Sequence, residues 1–550
     1  MVAIVLDQNF FNHDAQAGGF FPKTHINPGF DIDSFIRSNG KNILIEGIRG
    51  TGKTHILKMI ASKCLENYDE YNILPVYISL NMVSEWQGSD IRLFRIQLYA
   101  NIVSKTIETI ENNKINIGCM KSGTEKAIDI IKNMFGIKSN EDINTILNNI
   151  KNINENLLRQ LTYNPERICE KYKDETEIRG GLSSSPPVQL KFEELIRYIE
   201  ERDIQKVGKT LAFENASKFI IEFFTQLKEI LGCQYVFLLL DECSDPSEEA
   251  QIEVFRLLKI IRGGITSDME ANYVYFCASV YPPYATKYPS KILGHSVNFD
   301  PGQDAGVEYL QLNELSDDYE DFFLELTRKR LEYVLERPIS NPITEIFENE
   351  GAFILASYCA NGIPRRYLEI LKQGYENLHQ RDELTDVSTK ISQRDIENAV
   401  QIVASNQILT QKNLNTNDFK IVAEITKRMS TRNKKTETEN KDKEKPIPAN
   451  IYFTINYSQF PEFNNILLQG CIHDKGRTRL KKYYKEEGSQ GPLMMLDIAL
   501  ALSNGAIDKR RAIDIFRKDL KFNAKSGFKY CQDFDLDAFE YKGKNTEIFE

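Results

Sequence analysis

Gly47-Ile48-Arg49-Gly50-Thr51-Gly52-Lys53-Thr54 is the stretch whose reading decides the fold. It follows an apolar run, Asn42 to Glu46, and opens a segment with apolar residues at helical spacing, His55 to Cys64. The local order is therefore strand, glycine loop, helix. That order suits a phosphate cradle, because glycines let the backbone curl until successive N–H groups face one anion, and the helix N-terminus adds a partial positive charge. Lys53 is expected to reach phosphate oxygens and the Thr54 hydroxyl to hold Mg2+. The bland alternative is a glycine turn ahead of an ordinary helix. The coincidence of strand, spacing and Lys-Thr pair favours the cradle.

A second element is Tyr235-Val236-Phe237-Leu238-Leu239-Leu240-Asp241-Glu242. A continuous apolar run of this length predicts a strand buried on both faces of a parallel sheet. It delivers two carboxylates at its C-terminal end, the edge at which open α/β sheets bind ligands. Asp241 is expected to hold Mg2+ through its water shell, since this ion takes oxygen ligands and keeps several waters. Glu242 is expected to polarise an attacking water. A further buried strand, Tyr273 to Ser279, ends in a small polar residue. Ser279 is expected either to orient that water or touch the terminal phosphate, or else to cap the local backbone.

The third element is Asn361-Gly362-Ile363-Pro364-Arg365-Arg366, between apolar helical segments Ala352–Ala360 and Tyr367–Leu378. Gly362 can end the first helix and Pro364 can start the next. Arg365 then falls in a first helical turn, where a cation opposes the helix dipole and a nearby anion would relieve the conflict. A solvated arginine pair is the other reading.

Composition bounds the class. The chain has 550 residues, 41% hydrophobic and 27% charged, with a formal net charge of -10, which argues against a basic coat while leaving room for a local basic patch. No apolar stretch reaches spanning length and the N-terminus lacks a signal-peptide pattern, so the expectation is a cytoplasmic protein with no membrane partner. Nine cysteines without a Cys-x-x-Cys pair read as reduced thiols, and neither they nor the six histidines suggest a metal site.

Along the chain, Met1 to Gly40 is an aromatic lead-in whose Phe20, Phe21, Phe30, Ile32 and Phe35 are expected to pack beside the first strand. Ile73 to Leu80 predicts a strand, and Pro75 suits an edge position. From Gly88 to Gly232 the text is helical, far longer than a parallel crossover needs, and reads as an inserted helical subdomain at about 100–210 with a loop at Gly180 to Pro187. Tyr309–Glu336 and Arg394–Ala404 predict further helices. Thr431 to Lys445 reads as a disordered loop or charged linker. Beyond it come a strand at Asn450–Ile455, a helix at Phe460–Leu468, a basic turn at Asp474-Lys475-Gly476-Arg477 leading to Arg479, Lys481 and Lys482, a helix at Pro492–Leu502, and a basic helix with Lys509, Arg510, Arg511, Arg517 and Lys518.

With these elements together the chain resembles the AAA+ ATPases, nearest the origin-recognition and archaeal-initiator clade and the related STAND-type signalling ATPases of prokaryotes. The resemblance covers Asn42 to about Ser405. It implies an α/β fold, a P-loop ASCE parallel sheet of strand order 5-1-4-3-2, in a core spanning residues 1–300. A helical lid over 301–405 and a winged-helix-like domain over 406–550, with a charged linker at 431–446, complete the expectation. It also implies ATP and Mg2+ as cofactors. Gly47, Gly50, Thr51, Gly52, Lys53, Thr54, His55 and Arg365 are the nucleotide-binding residues, Thr54 and Asp241 the metal ligands, and Glu242, Lys53, Arg365 and Ser279 the catalytic set. An arginine finger is expected after the Ser279 strand, yet Ala285 to Asp300 holds Lys287 and Lys291 and no arginine, and Arg256 and Arg262 on the preceding helix are poor substitutes.

Two functions follow. One is an ATPase whose nucleotide state controls DNA binding or assembly, in phage defence or DNA transactions, with phosphate contacts from the basic turn. The other is a STAND-type scaffold that oligomerises with ATP and engages a protein effector without DNA. The partners implied are ATP and ADP, a homo-oligomer or effector, and DNA on the first reading only.

Overall fold

The structure, a computed structural model, describes residues 8–12, 20–38, 41–82, 233–263, 273–385, 390–409, 414–440, 447–479, 490–529 and 531–534, with isolated positions elsewhere. Apart from positions between 101 and 113, the expected insertion lies outside the described residues, as do the Gly180–Pro187 loop, Lys481 and Lys482. The chain divides into two units: one holds Gly29–Gly47 and Lys53–Tyr309, the other Met1–Pro28, Ile48–Gly52 and Leu310–Glu550.

The first unit is built on five strands: β1 (Ile43–Glu46), β2 (Ile73–Ser79), β3 (Tyr235–Asp241), β4 (Val274–Val280) and β5 (Gly306–Tyr309). They lie in the order β2-β3-β4-β1-β5 and every pair is parallel. This is an α/β P-loop sheet with the expected order. The four residues of β1 and the whole Val236–Asp241 run are buried, as near-continuous apolar strands under helices should be. Pro75 does sit on an edge strand, β2. The other edge, β5, is only four residues long with none of them buried, which left no periodicity to read from Gly-Val-Glu-Tyr. Helix α1 (Lys53–Glu66) follows the glycine loop and buries Ile56, Leu57, Met59, Ile60 and Cys64; α2 (Glu248–Gly263) connects β3 to β4. Phe35 of the lead-in packs on Phe237 at 5.3 Å.

The second unit contains α3 (Tyr319–Leu335), α4 (Glu350–Cys359), α5 (Pro364–Thr385), α6 (Gln393–Val403) and the 25-residue α7 (Thr416–Asn440). A four-stranded sheet follows, β6 (Tyr452–Ile455), β7 (Ile472–Arg479), β8 (Gln490–Leu496) and β9 (Gln532–Phe534), in the order β7-β8-β6-β9, with α8 (Ile498–Ser503) after β8. In this unit the Phe21 ring of the lead-in lies 4.8 Å from that of Tyr333 on α3.

Two expectations here are corrected. The charged run from Thr431 is not a linker as far as Asn440 but the last part of α7. Composition hid the stripe Ile425, Met429 and Thr436, all buried, and Asn433, whose amide bonds the carbonyls of Asn450 and Ala506. The helix expected at Pro492–Leu502 is instead a strand to Leu496 and a helix from Ile498. A short apolar run fits either state, and here antiparallel pairing with β6 and β7 takes Leu493 to Leu496, after which Asp497 caps the helix through the Leu500 N–H at 3.1 Å. The basic turn is a bulge inside β7, with Gly476 at φ 91°.

Candidate functional site

In the first unit the strand ends converge by construction, since β1 to β4 are parallel and their C-termini share one edge. Ser79 pairs in register with Asp241, and Glu46 with Val280. β4 alone separates β1 from β3. Two strand spacings put the acidic tip roughly 10 Å from the strand that launches the glycine loop, room for a phosphate and a hydrated cation.

Asp241 is buried and accepts three hydrogen bonds: from Ser279 Oγ at 2.5 Å and the Glu242 N–H at 3.0 Å on one oxygen, and from Tyr77 Oη at 2.9 Å on the other. Burial, reinforced by Asp241, pushes the Tyr77 phenol far above its ordinary range, so it stays a donor. A carboxylate has about four acceptor positions, which leaves Asp241 one for a cation's water.

Glu242 has φ 63°, in the left-handed region that a glutamate rarely adopts. Its N–H is also held by Ser279 Oγ at 2.9 Å, and its Oε2 accepts from Ser79 Oγ at 2.5 Å. Backbone strain of this kind costs about 1–3 kcal/mol and persists only where the surroundings impose it. Here Ser279 imposes it. Its fully buried hydroxyl gives its one proton to Asp241 and takes the Glu242 amide, so it braces the two acids. Of the two sequence readings, its contacts match the local cap. Tyr77 and Ser79 were missed because neither carries a motif; the one available signal was that β2 ends in a hydroxyl in a chain whose other strand ends carry the chemistry.

Lys53 begins α1, and its Nζ bonds the Gly47 carbonyl at 2.6 Å and lies 4.5 Å from the Tyr281 ring centre. Thr54 and His55 follow in the first helical turn, both partly exposed. The arginines considered for a finger are engaged: Arg262 and Lys259 pair with buried Asp304, and Arg256 lies 3.7 Å from Glu253. Lys287 is 3.9 Å from Glu248.

In the second unit, the loop residues Gly50 and Gly52 have φ 91° and 95°. Thr51 is buried with its hydroxyl on the Ile48 carbonyl at 3.0 Å. The Arg365 N–H donates to the Gly50 carbonyl at 3.3 Å. A Cβ on Gly50 would meet both Arg365 Cβ and Ile363 Cγ2 at 3.0 Å, so glycine is required there by conformation and by space. Asn361 and Gly362 both take positive φ, turning the chain from α4 into α5. Arg365 Nε is buried and makes no hydrogen bond. A buried, unsatisfied guanidinium donor beside a glycine loop fits an anion.

The basic residues of the C-terminal region divide. Lys475 is almost buried, bonded to the buried Glu314, and Arg517 bonds Glu320 at 2.6 Å and Glu350 at 2.6 Å. Arg477 lies on β7, and the Arg479 side chain lies outside the described residues.

Among the described residues no helix is long and apolar enough to cross a membrane. No protein-family model matches the chain, and no curated protein sequence does. Among solved structures, the chain is similar to the Aeropyrum pernix ORC2 protein in its ADPNP-ADP complexes, at 12% identity and TM-score 0.38, over 94% of this chain and 99% of that one. It is also similar to the Aeropyrum pernix ORC1 protein in complex with DNA, at 10% identity and TM-score 0.27, over 88% of each chain. At such identities and scores neither likeness bears on the site, which stands on the contacts of its own residues.

Proposed function

We propose that the chain is an ATP-binding, Mg2+-dependent ATPase of the AAA+ type, akin to the origin-recognition and STAND groups of prokaryotes. On this reading residues 1–300 form the ATPase core, 301–405 the lid and 406–550 a winged-helix-like domain, and the protein works in the cytoplasm. The observation that carries it is Glu242: a left-handed glutamate whose N–H is held by a buried serine at the carboxyl edge of a parallel sheet is backbone strain of the kind that clusters at active sites, and it supports a role as the water-activating base. Lys53 and the amides from Gly50 to His55 hold the phosphates. Thr54 and Asp241 would hold Mg2+, which would supply neutralisation of the phosphate charge. Glu242 takes the proton of the attacking water, and Arg365 meets a phosphate oxygen with its unsatisfied donor.

The nucleotide state, ATP or ADP, would then control DNA binding or assembly, in antiviral defence or another DNA transaction. The alternative, a STAND-type scaffold that oligomerises and engages a protein effector, is favoured by one observation: Lys475 and Arg517, which sequence placed on a basic surface, are consumed by internal carboxylates. In calorimetry and a phosphate-release assay, Lys53→Ala is expected to abolish ATP binding, and Glu242→Gln to retain binding while turnover falls at least a hundredfold, about 2.7 kcal/mol or more in the barrier. Equal turnover in Glu242→Gln and the parent removes Glu242 from the chemistry. Salt-sensitive duplex binding lost on neutralising Arg477, Arg479, Lys481 and Lys482 selects the DNA reading over the scaffold.

A further inference from the structure

Arg366, the neighbour of Arg365, points into a closed polar cluster in the second unit. Its Nη1 bonds Oδ2 of Asp497, a side chain with no exposed surface. The same oxygen accepts from Asn361 Nδ2 at 2.6 Å and faces His473 Nε2 at 3.0 Å. Gln311 Nε2 lies 3.1 Å from His473 Nδ1; an amide nitrogen is a donor, so Nδ1 accepts and the ring proton sits on Nε2, towards Asp497. The other Asp497 oxygen caps α8, and Asn361 Oδ1 accepts from the Ile498 N–H at 3.2 Å. Gly470 is pressed against this cluster: a Cβ there would meet Arg366 Nη2 at 3.0 Å.

The consequence lies in where the two arginines point. Asn361 and Arg366 flank the turn that carries Arg365, and both end on one carboxylate at the β8–α8 junction. Arg365, between them in sequence, donates its N–H to the loop glycine Gly50 and leaves its Nε unsatisfied. A helix start held at both flanks has little freedom to rotate, so Asp497 sets where Arg365 stands relative to the loop. We propose that Asp497, far away in sequence in the C-terminal region, is the positioning residue for Arg365, acting through Arg366 and Asn361. It is thereby also the point at which a displacement of the C-terminal sheet reaches the glycine loop. The proposal rests on the nucleotide reading of that loop.

The test is a double-mutant cycle in the full chain, with Asp497→Asn, Arg365→Ala and their combination, measuring Mg-ATP affinity and turnover. Each single variant is expected to lower turnover over KM by about tenfold, and the double variant to lose no more than either alone, because both remove one interaction. Arg366→Lys, which keeps the charge and loses the fork, is expected to fall between parent and Asp497→Asn. A double variant about a hundredfold down shows independent effects and overturns the proposal, as does Asp497→Asn with parent-like kinetics. If the parent binds no nucleotide, the functional reading fails, and the positioning role is decided separately by hydrogen exchange without nucleotide. The Arg365 amide should then exchange at least tenfold faster in Asp497→Asn and in Arg366→Lys, and unchanged exchange in both rejects it.

Discussion

Replacing Ser279 by alanine separates a brace from a phosphate contact. The hydroxyl is fully buried, gives its proton to the Asp241 carboxylate at 2.5 Å and takes the Glu242 amide at 2.9 Å. A hydrogen bond to a charged group contributes about 1.5–3 kcal/mol net, and a neutral one about 0.5–1.5 kcal/mol. The Glu242 amide keeps a second acceptor in Asp241 Oδ1 at 3.0 Å, so the lower end applies to it. The sum is about 2–4 kcal/mol, enough to release the strain stored at φ 63°. In Ser279→Ala, hydrogen exchange across residues 240–244 should therefore accelerate by about thirtyfold or more, taking 1.4 kcal/mol per tenfold. Glu242 would relax from its left-handed conformation, and turnover should fall by about tenfold while ATP affinity stays within about twofold. Unchanged exchange across this segment would refute the brace. So would an affinity loss as large as the loss in turnover, which is the signature of a direct phosphate contact.

Two further outcomes are expected. Acid should weaken the second unit first: burial holds the His473 ring below its ordinary value of 6.5 against the pull of Asp497, so the unfolded chain binds a proton there that the folded one refuses, and the associated stability is complete above that pH and lost as pH falls towards the folded value. Glu314, whose burial is outweighed by Lys475, is held below 4.5 and adds a second loss at lower pH; the decline in unfolding temperature between pH 7 and 5 should shrink in His473→Gln, and an identical decline would exclude His473 as its source. Asn433→Ala removes bonds to the carbonyls of Asn450 and Ala506 and from the buried Asn450 N–H, about 1–3 kcal/mol for an orphaned group, so trypsin should cut after Lys434 and Lys435 at least several-fold faster, and an unchanged rate would mean that the end of α7 is not held by Asn433.

Much of the first unit, and the glycine loop of the second, was legible because their signals are local. Glycine spacing predicts a loop whose backbone curls, and Gly50 and Gly52 curl it at positive φ. A six-residue apolar run, Tyr235 to Leu240, predicts a doubly covered strand, and β3 is one. The strand order came from resemblance, since the four residues of β5, none of them buried, carry no pattern. In the C-terminal region the same rules misread Thr431–Asn440 and Pro492–Leu496, because a polar helix face and a five-residue apolar run are each compatible with two states until a neighbour chooses between them.

By itself, then, the sequence determined the loop, the acidic strand tip and the glycine turn before Arg365, all features whose physics is complete within a few consecutive residues. Tertiary structure alone decided what those groups touch: Ser279 as a brace, Ser79 on Glu242, and Asp497 beneath Arg366, 131 positions away in the chain. A buried hydrogen bond depends on which donor and acceptor meet away from water, and partners so far apart along the chain leave no periodicity to read.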